Sequence, residues 1–252
     1  MKITIMTLFP EMCNAVLDES IIGRARKSGI IEIDTVNIRD FTHDKHNRVD
    51  DAPYGGGMGM LMQTQPIYDC FASLCSEDGK KPHLIYMSAQ GKTLTQKRVK
   101  ELSQLPNIAI LCGHYEGVDE RIIEEIVDEE ISVGDYVLTG GEIPACILCD
   151  CVGRLCDGVL SDAVCHEAES FEDDLLEYPQ YTRPVEFMGR KVPEVLLSGH
   201  HANIDAWRLE QSEKLTAERR PDLYAKYARR KAEREAAEAA RKKRRKAKKE
   251  DG

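Results

Sequence analysis

Ile108-Ala-Ile-Leu-Cys-Gly-His-Tyr-Glu-Gly-Val-Asp-Glu-Arg-Ile-Ile-Glu-Glu-Ile-Val127 is the stretch whose reading decides the fold. Ile108–Cys112 is a short, wholly apolar run of the kind that forms a strand buried on both faces. A glycine-bearing loop follows, and the spacing from Asp119 to Val127 predicts a helix. Strand, loop and helix in that order are one half of a βα unit. The pattern recurs upstream. Lys2–Leu8 is β-rich, Ile31–Ile38 alternates strictly, and His83–Met87 is a second buried strand. Between them, Glu11–Lys27 has helical spacing that stops at Gly29, and another helix is expected near Thr95–Leu105. Strands alternating with helices predict an α/β domain with a largely parallel sheet.

Downstream the texture changes. Residues 161–190 mix acids, Pro179 and Pro184 with little periodicity, as in an interdomain linker or functional loop. From His201 the chain reads as helical, with Trp207 and Leu215 at core-facing spacing and a new helix at Pro221. Residues 225–249 are Ala, Glu, Lys and Arg apart from Tyr227, which favours helix but offers no apolar face for docking. The expected organisation is a domain over 1–160, a linker and active-site loop over 161–190, a small helical domain over 191–229 and a basic tail over 230–252.

The formal net charge of −9 conceals a split. Residues 225–252 carry thirteen Lys or Arg against five Asp or Glu, so the rest of the chain is near −17. An acidic average therefore excludes no nucleic-acid partner. No apolar run reaches the roughly 18 residues of a membrane span, and the first residues lack the pattern of a signal peptide. Nine cysteines, unevenly placed, read as free thiols of a cytoplasmic protein rather than a disulfide framework.

Several motifs invite chemistry and lose it on spacing. Gly91-Lys92-Thr93 would end a phosphate loop only with a glycine where Tyr86 stands; the chain there is better read as a turn through Ser88–Gly91. The glycines of Ala52-Pro-Tyr-Gly-Gly-Gly-Met-Gly59 miss the dinucleotide spacing and suit a mobile or ligand-approaching loop. Cys146, Cys149 and Cys151 interleave with Ile147, Leu148 and Val152, so they read as small hydrophobes and no metal site is assigned. Two loops hold more. Cys112–Arg121 and Ser132–Ala145 each combine glycines, an aromatic and an acid, with Pro144 near a helix start. Apolar faces beside free backbone groups suit a purine. Neither loop holds Lys, which disfavours a polyphosphate and favours a nucleoside-type cofactor.

Long blocks in fixed order now carry a resemblance. Leu8-Phe9-Pro10, Ala52–Gly59, Leu111–Arg121, Val133–Glu142, Leu175-Leu-Glu-Tyr-Pro-Gln-Tyr-Thr-Arg-Pro184, Val192–His201 and Ala206-Trp-Arg208 together resemble the bacterial tRNA (guanine-N1)-methyltransferases of the SPOUT superfamily. Only the tail past about residue 230 lies outside. The resemblance implies an α/β N-terminal SPOUT domain tied in a deep trefoil knot, with a mainly parallel sheet, and a small helical C-terminal domain. It implies a homodimer with sites at the subunit interface, and a tRNA substrate engaged at the anticodon stem-loop, with neither DNA nor membrane as partner. The implied reaction moves the methyl of S-adenosyl-L-methionine to N1 of guanosine 37, with Mg2+ as a candidate requirement.

By the same resemblance the cofactor lies against Ser88, Ala89, Gln90, Gly91, Gly113, Tyr115, Glu116, Gly117, Val133, Gly134, Asp135, Tyr136, Val137, Leu138, Gly140, Gly141 and Pro144. Guanine N1 carries a proton at neutral pH, so the chemistry needs a base near N1 and a cation near O6. Arg154 matches the family's Arg, and an ion pair closing the linker is the alternative role. The family's base is an Asp; this chain has Glu169 there, one methylene longer, and Glu167, Glu172, Asp173 and Asp174 in the same loop are the alternatives for that role. Ser198, Gly199 and His200 are candidates for touching tRNA or for capping the next helix. The competing functions are a SPOUT enzyme for another RNA base and a non-enzymatic RNA-binding protein. The tail is expected to add salt-sensitive, sequence-independent RNA affinity.

Overall fold

The computed structural model describes residues 1–160 and 169–250. The chain folds as two compact units, Met1–Ala163 and Val164–Gly252.

The first unit is built on five strands, β1 (Lys2–Thr7), β2 (Glu32–Asn37), β5 (His83–Thr93), β6 (Asn107–Cys112) and β7 (Glu129–Ser132). They form one sheet in the order β2-β1-β6-β5-β7, and every pairing is parallel. Two short strands, β3 (Asp50–Asp51) and β4 (Leu61–Met62), pair with each other outside it. Period-two alternation sends successive side chains to opposite faces. Ile3, Ile5, Ile85, Met87, Ile108 and Ile110 join one apolar cluster, and Met6, Leu84, Tyr86, Ala109 and Leu111 join the other. Helices α1 (Pro10–Leu17), α2 (Ser20–Lys27), α4 (Gln96–Leu102) and α6 (Glu142–Gly153) contribute buried residues to the first. Helices α3 (Thr64–Ser73) and α5 (Glu120–Ile126) contribute to the second. A sheet covered on both faces explains why its central strands read as unbroken apolar runs. Cys146 and Cys149 are buried in the first cluster.

Two local expectations are corrected. Glu11–Lys27 is two helices, broken at Asp18–Glu19, with Ser20 at φ 56°. Arg26 holds the break: its guanidinium pairs with Asp18 at 2.7 Å and donates to the Ile33 carbonyl at 2.6 Å. Nor does the strand beginning at His83 end at Met87. Met87 and Lys92 both pair with Ile131, so Ser88–Gly91 bulges out before Lys92 and Thr93 resume the ladder. Gly91 is required at that bulge, because a Cβ there would fall 2.5 Å from the backbone of Glu130 and Ile131.

The second unit holds a two-stranded hairpin, β8 (Glu186–Phe187) with β9 (Arg190–Lys191), and helices α7 (Glu194–Leu197), α8 (His201–Arg219) and α9 (Pro221–Glu250). The fully buried residues of α8 are Ser212 and Thr216, whereas Trp207 and Leu215 are only half-buried. Expectation and structure differ again over the chain beyond residue 225. Helix α9 does dock, through Leu223 and Tyr227 and then through ions. Arg230 pairs with Asp174 at 2.5 Å, Arg234 with Asp173 at 2.9 Å and Lys231 with Glu213 at 2.6 Å. Charge supplies the contacts that an apolar stripe would have supplied. Among the described residues, no helix is long and apolar enough to cross a membrane.

Candidate active site

In an open α/β sheet, ligands bind in the crevice beyond the carboxyl ends of the strands. Here the bulge Ser88–Gly91, the loop from Gly113 and the loop from Val133 leave the carboxyl ends of β5, β6 and β7 and meet there. Between them is a cleft of about 230 Å3. Its lining includes every cofactor residue expected from the sequence except Gly91 and Asp135. Gly91 lies instead behind the cleft, against the backbone of β7. Tyr86, Met87, His114, Ile131, Ser132 and Thr139 also line it and were missed by sequence. They are the strand ends and loop neighbours of the glycines, so proximity to a Gly-bearing loop was the available signal.

Close backbone approach makes the cleft. The Gly141 N–H donates to the Gly113 carbonyl at 2.9 Å, and His114 bridges to Gly140. A Cβ on Gly141 would lie 2.7 Å from the Cα of Cys112 and 3.0 Å from the nitrogen of Gly113. Beneath the loops, α6 begins with Glu142, which is 2% exposed and accepts a hydrogen bond from the Thr7 hydroxyl at 2.8 Å. A carboxylate at a helix N-terminus is favoured by the helix dipole. Burial pushes the Tyr86 phenol up to about 12, so the ring stays neutral against the cleft. On the rim, the Glu116 N–H donates to the Met60 carbonyl at 2.9 Å, and a Cβ on Gly59 would fall 2.3 Å from the Glu116 side chain. The glycine-rich loop expected to approach a ligand thus ends at the cleft, with Tyr54 and Met58 almost fully exposed.

The lining suits a nucleoside bearing a positive centre. Among the described residues it contains no Lys or Arg, the tyrosines Tyr86, Tyr115 and Tyr136, and one carboxylate, Glu116. A polyphosphate finds no cationic partner there, and an aromatic base finds apolar faces.

The two expected catalytic residues lie in different units. Arg154 is the half-buried C-cap of α6. Pro144, in the first turn of α6, lines the cleft; at about 1.5 Å per residue, Arg154 is ~15 Å further along that axis. Glu169 is half-buried in the second unit. The segment after it folds back on itself. The Phe171 N–H donates to the Leu175 carbonyl at 2.7 Å, and the Glu177 N–H donates to the Ser170 hydroxyl at 3.0 Å. Buried Thr216 fixes it to α8 by accepting from the Leu176 N–H at 2.8 Å. Phe171, Asp173 and Asp174 all have positive φ, at 76°, 50° and 61°. Ser198, Gly199 and His200 are exposed ahead of α8, where His200 is the N-cap and makes no side-chain capping bond. Glu167 lies outside the described residues.

Fold and cleft thus define an α/β protein with a tyrosine-lined crevice, free of Lys and Arg among the described residues, at the carboxyl edge of a parallel sheet. Over residues 1–226 the chain matches the family described as tRNA (Guanine-1)-methyltransferase TrmD. Similar proteins are each named tRNA (guanine-N(1)-)-methyltransferase. That of Ruminiclostridium cellulolyticum is 59% identical over 90% of this chain and 97% of its own. Those of Clostridioides difficile and Lachnospira eligens are 55% and 53% identical, over 90% and 91% of this chain and 98% of their own. The chain belongs to this methyltransferase family.

Proposed function

We propose that the protein transfers the methyl group of S-adenosyl-L-methionine to N1 of guanosine 37 in tRNA, next to the anticodon. The observation that carries the reading is the cleft: three loops at the carboxyl ends of adjacent parallel strands, cation-free and lined by tyrosines, in a chain of this family. When bound, the cofactor supplies an electrophilic methyl beside a cationic sulfur. Ser88–Gln90, Gly113, Tyr115–Gly117, Val133, Gly134, Tyr136–Leu138, Gly140, Gly141 and Pro144 would hold it, with Gly91 and Asp135 supporting their loops.

Glu169 acts as the base. Its carboxylate would take the N1 proton, leaving the N1 electron pair to attack the methyl carbon as the carbon–sulfur bond breaks and the neutral thioether leaves, and Arg154 would neutralise charge gathering on O6. Strained backbone is found where a site over-determines geometry, and three non-glycine residues with positive φ follow Glu169 within five positions. The deep trefoil knot belongs to this reading through the family.

A homodimer is part of the proposal. Arg154 is about a helix length from the cleft of its own chain, so a second copy supplies it most directly. A surface for that copy exists: Phe9, Met12 and Val16 beside α1, and Ile143 and Ile147 on α6, are all more than a third exposed. Contiguous exposed apolar groups of this kind mark association surfaces. A tRNA substrate fits an activity in the cytoplasm, Mg2+ is a candidate requirement of the reaction, and Ser198–His200 serve as an RNA contact.

Mass spectrometry of tRNA nucleosides after incubation with labelled S-adenosylmethionine tests the reading. Labelled 1-methylguanosine next to the anticodon is expected. Label on another base would move the enzyme elsewhere in the superfamily. Calorimetry showing no cofactor binding would leave an RNA-binding protein. Glu169→Gln is expected to abolish transfer with cofactor affinity intact, and undiminished turnover would remove Glu169 from the mechanism.

A further inference from the structure

Helix α9 runs on past the region of the family match. The match ends at residue 226, yet the helix continues unbroken to Glu250, and at about 1.5 Å per residue the extension is ~36 Å long. It divides by charge into a root, a spacer and a tip. In the root, Arg230, Lys231 and Arg234 are already committed to Asp174, Glu213 and Asp173. The spacer, Glu235-Ala-Ala-Glu-Ala-Ala240, is made of strong helix formers. The tip, Arg241-Lys-Lys-Arg-Arg-Lys-Ala-Lys-Lys249, has eight cations in nine positions and no acid.

Nothing in the tip's own sequence balances that charge. Eight like charges in nine positions repel one another, so the tip is a segment that a polyanion stabilises. Its composition also selects the polyanion. Residues 228–252 contain no Val, Ile, Leu, Met, Phe, Tyr or Trp, so the helix has no apolar face to sink into a lipid interface, which is what a surface-lying helix needs. An RNA backbone demands only charge. The remainder of the chain, near −17 before residue 225, repels RNA at long range.

We propose that residues 241–249 form an electrostatic arm that binds the phosphate backbone of the tRNA substrate, while Arg230 and Arg234 fasten the arm's root to the segment that follows Glu169. The arm chooses no base. It raises the concentration of tRNA at the enzyme, and it rests on the reading of the chain as a tRNA methyltransferase.

The test compares the full chain with a variant whose Lys and Arg at 241–249 are all replaced by Gln, which preserves length and helix propensity, and with a chain ending at Ala240. Binding of unmodified tRNA is measured from 50 to 200 mM salt, with methyl transfer followed in parallel. Four engaged phosphates steepen the dependence of log affinity on log salt by about 3.6, so the advantage of the full chain shrinks ~150-fold across that range. Both altered chains should keep kcat at saturating tRNA and show a raised KM for tRNA at low salt. Salt slopes that agree among the three chains would overturn the proposal. Binding of the full chain to vesicles containing phosphatidylserine, with no difference on tRNA, would overturn it in favour of a membrane. Loss of methyl transfer in the full chain, with the slope difference intact, would instead strike the parent reading and leave an RNA-binding arm.

Discussion

Gly141→Ala tests the construction of the cleft directly. Gly141 has φ −82° and ψ −5°, a conformation alanine adopts freely, so backbone preference raises no objection. Reducing the freedom of the unfolded chain would favour alanine by about 0.4–1 kcal/mol. Sterics decide otherwise. The added methyl would sit 2.7 Å from the Cα of Cys112, about 0.7 Å inside the 3.4 Å at which ordinary contact begins. That neighbour is main chain at the end of a central strand and has no rotamer to escape into. Overpacking of this sort costs about 1–3 kcal/mol, which outweighs the entropic gain. For a chain of this size each kcal/mol lowers Tm by about 2–4 °C, so a net loss near 1–2 kcal/mol is a fall of ~2–8 °C. The loop Leu138–Gly141 must also lift away from Gly113, and misplacement approaching 1 Å is worth as much as ~100-fold in positioning. Calorimetry with S-adenosylmethionine should show affinity at least ~10-fold weaker. A variant that melts within a degree of the parent and binds the cofactor equally well would refute the idea that Gly141 is there for close approach.

Thr216→Val keeps the shape of α8 and removes the acceptor of the Leu176 N–H; a loss of about 1–3 kcal/mol and ~10–100-fold faster exchange of that amide are expected, and unchanged protection would count against the tether. Glu129 accepts from Arg98 at 2.6 Å and lies 2.8 Å from the ring of His83. Burial alone would raise its carboxyl, but these partners outweigh burial and hold it below the ordinary 4.5. A depressed acid stabilises above its unfolded pKa and is lost as pH falls through the folded one, so Glu129→Gln should melt lower than the parent at pH 7, with the gap closing below about pH 4.5. Burial pushes the Cys70 thiol up to about 12 and raises Cys112 and Cys149 as well. At pH 8 iodoacetamide should label none of the three until the protein is unfolded; mass spectrometry reading label on any of them in the native state would contradict the packing.

The sheet was legible where one physical signal dominated. Strands β1, β2 and β6 declare themselves by alternation or by an unbroken apolar run, and the structure pairs them in parallel. Strand β7 did not, because Glu129 and Glu130 occupy half of it. The first of these is balanced by Arg98 and His83, from α4 and β5, which no local window contains. The same limit hid the break after Leu17, where the decisive partner of Arg26 is a carbonyl on β2. The bulge at Ser88–Gly91 was legible only as a turn, since resumption of the ladder at Lys92 depends on β7. In the candidate site, glycines marked the loops well. Tyr86 and Met87 were hidden because a buried strand end reads as core. Helix α9 misled for another reason: amphipathicity was sought in apolar residues, and past Tyr227 its docking contacts are made by Arg230, Lys231 and Arg234.

Two features fall in the same part of the second unit. One is position 169, where Glu has a methylene more than the Asp that the resemblance leads one to expect. Under the proposed mechanism, the longer side chain reaches the same proton only if its backbone stands further back. The other is α9, whose Arg230 and Arg234 are paired to Asp174 and Asp173, five and four residues from Glu169. Both aspartates have positive φ, which for non-glycine residues costs about 1–3 kcal/mol each and persists only where surrounding contacts enforce it. Exposed ion pairs contribute little to stability one at a time. Their effect here is conformational: they hold the carboxylates that the unfavourable backbone carries, and the Thr216 hydroxyl fastens the far end of the same turn at Leu176. The side chain at position 169 and the cations of α9 thus meet at one turn, whose backbone Arg230 and Arg234 hold through its two aspartates.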